Sequence, residues 1–436
     1  MQALLSYDDA PPLSVPLRYF LTAPLFAILA GLLLLYAGPE ILASRWSPAT
    51  LAFTHVITAG FMLQVMLGAL QQLLPVVLGA NLTRPLRLAT LVHAAITPGA
   101  LFLAAAFLTY APWLFAAAIL FLGVGIGLFL WAAVPALYGI ATSSPTLLGL
   151  KVALMGLSGT IISGLLLALA LGWSLNWPVL QMTDLHLGWG FMAWSCIVLA
   201  AVALVVVPMF QLTPEYPAWF GQHFVRVTIG CVLFWTVTDL AGWAEAATLF
   251  AAATLACGAV FCGVTLNILR QSKRAKPDAS HHFWNLAMAS ALLACGVWLA
   301  AQWLPTVNAW QGWPLLFGVL LLFGGFSSVS TGMLYKIVPF LVWLHLQNRA
   351  SAGVPAPNMK KVLPQRRIDR QLRAHLASCA LLLLSVIWPA WFVYPAGVAL
   401  IIANGWLLRN LLYATGIYRK HLRSIEASLA PTAAAQ

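Results

Sequence analysis

Residues 51–81 read LAFTHVITAGFMLQVMLGALQQLLPVVLGAN. The run is apolar and longer than the roughly 20 residues a helix needs to cross a bilayer. It carries His55 about one turn inside its start and Pro75 near its end. Two later stretches echo it. Residues 184–214, DLHLGWGFMAWSCIVLAAVALVVVPMFQLTP, hold His186 and Pro208. Residues 313–343, WPLLFGVLLLFGGFSSVSTGMLYKIVPFLVW, hold Pro339 but no histidine at the matching depth. The three prolines follow one another at intervals of 133 and 131 residues, and the two histidines are 131 apart. The prolines sit in matching apolar surroundings: LLPVV, VVPMF, IVPFL. A fixed period with matching local features marks a repeat architecture. The sequence therefore predicts one membrane domain over residues 1–436, built from three four-helix units at about 18–140, 147–270 and 283–415.

Composition sets the solvent. Of 436 residues, 62% are hydrophobic and 7% charged, which excludes a soluble domain and defines an all-α polytopic membrane protein. Twelve apolar runs are long enough to span, beginning near Tyr19, Leu51, Leu88, Pro112, Leu147, Leu185, Phe224, Ala246, Phe283, Trp313, Leu372 and Pro395. The last two are expected to form a hairpin turning at Val393, Tyr394 and Pro395. The leader with Asp8 and Asp9 has no small-residue cleavage pattern, so no cleavable signal peptide is expected. The net charge of +12 is a topology signal, with nucleic acid not expected as a partner. Arg84, Arg87, Lys151, Arg226, the 270–276 cluster, the 349–373 linker and Arg419, Lys420 and Arg423 all fall at one end of the bundle. Arg45 is the exception. The positive-inside bias then places both termini in the cytoplasm, in a multi-pass protein of a bacterial inner membrane.

Prolines 75, 208 and 339 each remove a backbone donor and free a carbonyl one turn earlier, at Gln71, Leu204 and Tyr335. Lipid cannot satisfy those carbonyls, so the second, sixth and tenth helices are expected to stand at the centre of the bundle, around a pseudo-threefold axis. Small residues on the fifth helix, Gly156, Thr160 and Gly164, form a stripe that lets a neighbour approach closely. The six cysteines lie in apolar runs without a CxxC pair and read as buried small hydrophobes.

Ionisable side chains at membrane depth are functional candidates. His55 and His186 are the leading pair, expected at similar depth. Ala59 and Gly190 stand four residues after them, leaving room for a flat macrocycle beside an axial imidazole. Histidine ligates haem iron and copper alike. Met62 and Met66 follow His55 by 7 and 11 residues, on one α-helical stripe, and extend the candidate metal ligands to His55, His186, Met62 and Met66. Asp184 is the expected orienting group for His186. The other histidines, at 93, 223, 281, 282, 345, 375 and 421, are expected to be solvated or interfacial. Lys336 is expected to snorkel towards the basic end. The third echo has no histidine at that depth, so its share of the site is expected to be steric or polar, through Ser327, Ser328 or Ser330.

Twelve helices, three units and outer-end histidines on the second and sixth helices resemble the catalytic subunits of haem–copper oxidases and nitric oxide reductases. They also resemble the NnrS-type haem proteins of nitric oxide stress. The resemblance covers nearly the whole chain in topology. It implies low-spin haem ligation by His55 and copper ligation by His186, in separate pockets. The chain departs from the oxidase pattern in three places: Leu187 and Gly188 follow His186, and neither Cys231–Trp243 nor Trp313–Thr331 contains a histidine. A complete binuclear centre is therefore not expected. What the resemblance implies is a divergent membrane redox or nitric-oxide-handling protein. It would carry haem of b-type, with copper as a second metal, act as a haem-dependent oxidoreductase if it is an enzyme, and receive electrons from a donor protein or a quinol. Two alternatives stand beside it: a copper or small-solute transporter, and a cofactor-free assembly or partner subunit.

Overall fold

The computed structural model describes residues 9–350 and 354–433. Asp8 of the leader, residues 351–353 of the basic linker and residues 434–436 of the tail lie outside it. Among the described residues twelve helices are long and apolar enough to span a membrane. They are α1 (Ser14–Leu42), α2 (Pro48–Leu78), α3 (Pro85–Thr109), α4 (Pro112–Tyr138), α5 (Pro145–Gly172) and α6 (Val179–Gln211). The second half comprises α7 (Ala218–Leu240), α8 (Ala244–Arg270), α9 (Ala279–Trp303), α10 (Trp313–Gln347), α11 (Gln365–Ile387) and α12 (Pro389–Ser428).

Local chemistry fixes many of the ends. Proline opens α2, α3, α4 and α5 at the first helical position, where its missing donor costs nothing. The Ser47, Ser144 and Asp278 side chains cap α2, α5 and α9 by accepting backbone N–H bonds. Gly79 closes α2 at φ 67°, a left-handed position that suits glycine. One expected boundary moves. The chain turns between α11 and α12 at Trp388 and Pro389, and residues 393–395 lie inside α12. Proline at the head of α12 is again a first-turn residue, whereas Pro395 follows it by under two turns and is absorbed.

Packing places α2, α6 and α10 inside. Their most apolar windows are 72%, 67% and 67% buried, against 28–50% for the other nine helices. The outer helices form a continuous wall in which α12 closes back against α1. Within it α2 packs on α1 and α3, α6 on α5 and α7, and α10 on α9, α11 and α12. The three inner helices also share an internal break in winding. Residues Val56–Met62, Trp189–Cys196 and Leu320–Ser327 are π-helical. Each π segment begins 19 residues before its helix's proline, at Val56, Trp189 and Leu320. Such segments insert one extra residue into an α-helix and gather at functional sites. Here they border a cavity of about 970 Å³.

Aromatic pairs tie the inner helices together. Phe323 of α10 stacks on Phe53 of α2 at 5.2 Å between ring centres, and Phe326 stacks on Phe191 of α6 at 5.8 Å. Thus α10, which brings no histidine to the middle, braces both helices that do.

Candidate functional site

The site begins with the backbone of α2 and α6. His55 is the last α-helical residue before the π segment of α2, and His186 stands three residues before that of α6. The His55 Nδ1–H donates to the Leu51 carbonyl one turn back, at 2.8 Å. A carbonyl only accepts, so this bond fixes the proton of the neutral ring on Nδ1 and leaves Nε2 with its lone pair. His186 reaches the same state through a different helix. Ser163 of α5 donates to the Gly159 carbonyl at 2.8 Å, and its oxygen lies 3.1 Å from His186 Nδ1. With the hydroxyl proton committed to that carbonyl, Nδ1 is the donor and Nε2 is again free.

The two rings meet. Their centres are 6.5 Å apart and their planes differ by 16°. Both line one cavity of about 970 Å³, together with Met62, Met66, Ala59 and Gly190. This overturns the expectation of separate pockets for the two histidines. The reason is the stripe of small residues on α5. A Cβ on Gly156 would lie 2.2 Å from the Ala193 carbonyl oxygen, and one on Gly164 would lie 3.0 Å from the His186 ring. Glycine at both positions lets α6 lie against α5 and turns His186 towards α2. Phe107 of α3 closes the other side of His55 at 4.8 Å between ring centres.

Other expectations change here. Asp184 does not orient His186; its carboxylate pairs with Arg45 at 3.6 Å, and Ser163 takes the orienting role. Arg45, with its guanidinium over the Trp46 ring, lines the cavity beside Asp184. The His55–Met62 stripe presumed 3.6 residues per turn, and the π segment between them breaks that register; Met62 and Met66 nevertheless both line the cavity. Ser327, Ser328 and Ser330 do not line it. Ser328 instead donates to the Phe323 carbonyl and accepts from His375 Nε2 at 2.8 Å.

His375 is the histidine that the sequence reading misplaced. It is 5% exposed, packed on Phe283 at 5.2 Å and beside Cys379, and so is buried instead of solvated. Its signal was present but faint: α11 begins with a run of arginines, and His375 falls on the buried stripe with Ile368, Gln371, Leu372 and Cys379. His281 is also buried, at 8% exposure. Lys336 reaches towards the basic end, where it is ion-paired with Asp278, the cap of α9.

Among the described residues, no group of three or more His, Cys, Asp or Glu side chains is placed to hold a metal ion. The site is a facing pair of imidazoles in a large, mostly apolar space. No family model matches the sequence, and no curated protein matches it.

Proposed function

We propose that the protein is a haem-binding membrane redox protein, with one b-type haem held between His55 and His186. The observation that carries this reading is the geometry of the ring pair. Metal–imidazole bonds of about 2.0–2.1 Å put two axial nitrogens about 4 Å apart, and each ring centre lies about 1 Å beyond its nitrogen. Two rings on one iron therefore have centres about 6 Å apart, and 6.5 Å is seen. Three further features support it. Both Nε2 atoms are left unprotonated by the bonds at Nδ1. A macrocyclic haem would bring its own donor nitrogens, so two protein ligands, His55 and His186, would be enough. The cavity is at the upper end of the range for cofactor pockets and is lined by small and apolar groups where a porphyrin face would lie.

The group, once bound, supplies one-electron chemistry at the iron. The chain's own part is to fix both imidazoles and to surround them with mostly apolar groups. The recurring π segments and prolines of α2, α6 and α10 support the three-unit reading and, with it, kinship to the haem–copper oxidase scaffold. A location in a bacterial inner membrane with cytoplasmic termini, nitric oxide as a substrate and an electron-donor protein or quinol as partner belong to the same proposal. In this arrangement the helix 2 and helix 6 histidines serve one centre, where the resembled family uses them for two.

Expression with haem supplied should give purified protein with a Soret band and sharp α and β bands on reduction. His55→Ala and His186→Ala should each abolish the low-spin spectrum while the protein still folds and inserts. Protein that never acquires a Soret band under these conditions overturns the reading. The second reading, a copper site, draws on Met62 and Met66 at the same cavity. Copper retained at equilibrium without haem, and lost in the Met62→Leu, Met66→Leu double variant, would favour it.

A further inference from the structure

The cavity does not end at the histidine pair. Beyond α6 it continues between α6, α8, α9 and α10, lined by Ser195, Cys196, Thr254, Cys262, Met288 and Cys295. These residues bring three thiols, a thioether and two hydroxyls, and no charged side chain. Taking an ion out of water into such surroundings costs several kcal/mol or more unless it is paired. These six side chains offer an ion no charged partner.

A second observation points to a ligand. Ser195 is 4% exposed, lines the cavity, and its hydroxyl makes no hydrogen bond among the described residues. Serines in these helices commonly turn back onto a carbonyl of their own helix, as Ser158 and Ser163 do. Ser195 lies inside the π segment of α6, and its oxygen is left for something in the cavity. A buried polar group without a partner is costly, so a binding partner gains from meeting it. Phe191 and Phe326, stacked at 5.8 Å, line the same cavity.

We propose that this second part of the cavity is a binding site for a small, uncharged, lipid-soluble molecule that presents one hydrogen-bonding oxygen to Ser195. A quinone ring is of this class. The site is read out without haem.

The three lining cysteines provide the test. Purified protein in lipid nanodiscs is treated with N-ethylmaleimide, which is neutral, or with a trimethylammonium maleimide, which is charged. Labelling of each cysteine is followed by mass spectrometry. Cys379, buried outside this cavity, is the internal reference. The expected result is labelling of Cys196, Cys262 and Cys295 by the neutral reagent and much slower labelling by the charged one. Duroquinone, whose fully methylated ring does not alkylate thiols, should slow the neutral reaction about tenfold at about ten times its dissociation constant. Ser195→Ala should weaken that protection while leaving labelling without duroquinone unchanged. Equal labelling by both reagents would mean a water-filled vestibule and overturn the proposal, as would absence of protection by duroquinone. Because maleimides attack the thiolate, the reaction is run at alkaline pH beside a denatured control; none of the three thiols labelled in the folded protein, with all three labelled once it is denatured, would show the space closed to the reagent and overturn the proposal too. Because thiol protection is measured with or without a Soret band, its failure is distinct from failure of the haem reading.

Discussion

At the scale of single residues, the site turns on which ring nitrogen carries a proton. His55 is set by its own helix and His186 by Ser163 on a neighbouring one. The two should respond differently to mutation. Ser163→Ala removes the oxygen that holds His186 Nδ1–H and should lower haem affinity about 10- to 100-fold, the usual effect of losing a group that orients a metal-bound imidazole. A shifted haem midpoint potential should accompany it, and Ser163→Thr should restore much of both. Haem titration of the purified apoprotein, with a redox titration of the loaded form, measures the two effects. Unchanged affinity and potential in Ser163→Ala would remove Ser163 from this role. His55 and His186 were legible from sequence because ionisable groups are rare at membrane depth and these two share a period. Ser163 was not, since a serine in a transmembrane helix most often bonds its own backbone, and only the fold shows that it does this and also meets a ring.

At the scale of helices, the arrangement rests on close approach of α5 to α6. Gly156 has no room for a methyl group, because the atom in the way is the Ala193 carbonyl oxygen at 2.2 Å, part of the backbone of the π segment. A side chain could rotate aside; a backbone carbonyl cannot move without the helix. Gly156→Ala should destabilise the protein by about 1–3 kcal/mol, the usual cost of overpacking. It should also widen the spacing of the histidine rings. Thermal unfolding in detergent, alongside the intensity of the low-spin spectrum, checks both; an unchanged melting temperature would contradict the packing account. Gly127, with nothing within 4 Å of its would-be Cβ, is the matched control. The stripe of Gly156, Thr160 and Gly164 was visible in the sequence as a packing face. Its consequence, rotation of His186 into the same cavity as His55, was not, because periodicity says which face is small and says nothing of what presses against it. The π segments were equally out of reach. Their sequences are ordinary apolar runs, and one extra residue per helix leaves no compositional trace.

At the scale of the molecule, one polar latch joins distant parts of the chain at the basic end. Asp278 caps α9 and pairs with Lys336 of α10 and with Arg274 at 3.3 Å, while Arg274 also donates to the Phe210 carbonyl of α6 at 2.7 Å. Burial works against the Asp278 charge, but Lys336, the α9 amide and Arg274 together hold its carboxyl below the usual carboxylate range. A depressed folded-state value means the stabilisation is whole above the unfolded value of about 3.9 and is lost as pH falls through the folded one. Wild-type stability should therefore show no pH dependence from this latch between about pH 5 and 8, where its contribution is whole, and a loss beginning below about pH 4. Asp278→Asn should be destabilised across the whole range and lack that acid limb. Melting curves against pH would settle it, and an identical acid limb in the variant would be the contrary result. By itself the sequence determined the membrane class, the number of spanning helices and the three inner ones, and it singled out His55 and His186 as candidates. Those features follow from local composition and period: hydropathy counts spans, and proline marks helices that must turn their freed carbonyls away from lipid. Only the tertiary structure decided that the two histidines face one another, that Asp184 serves Arg45 instead of His186, that His375 is buried, and that Ser195 opens onto empty space. Each of these is a relation between helices far apart in the chain. Such relations are set by the rotation and approach of packed helices, which depend on every contacting side chain at once and are not written in any one of them.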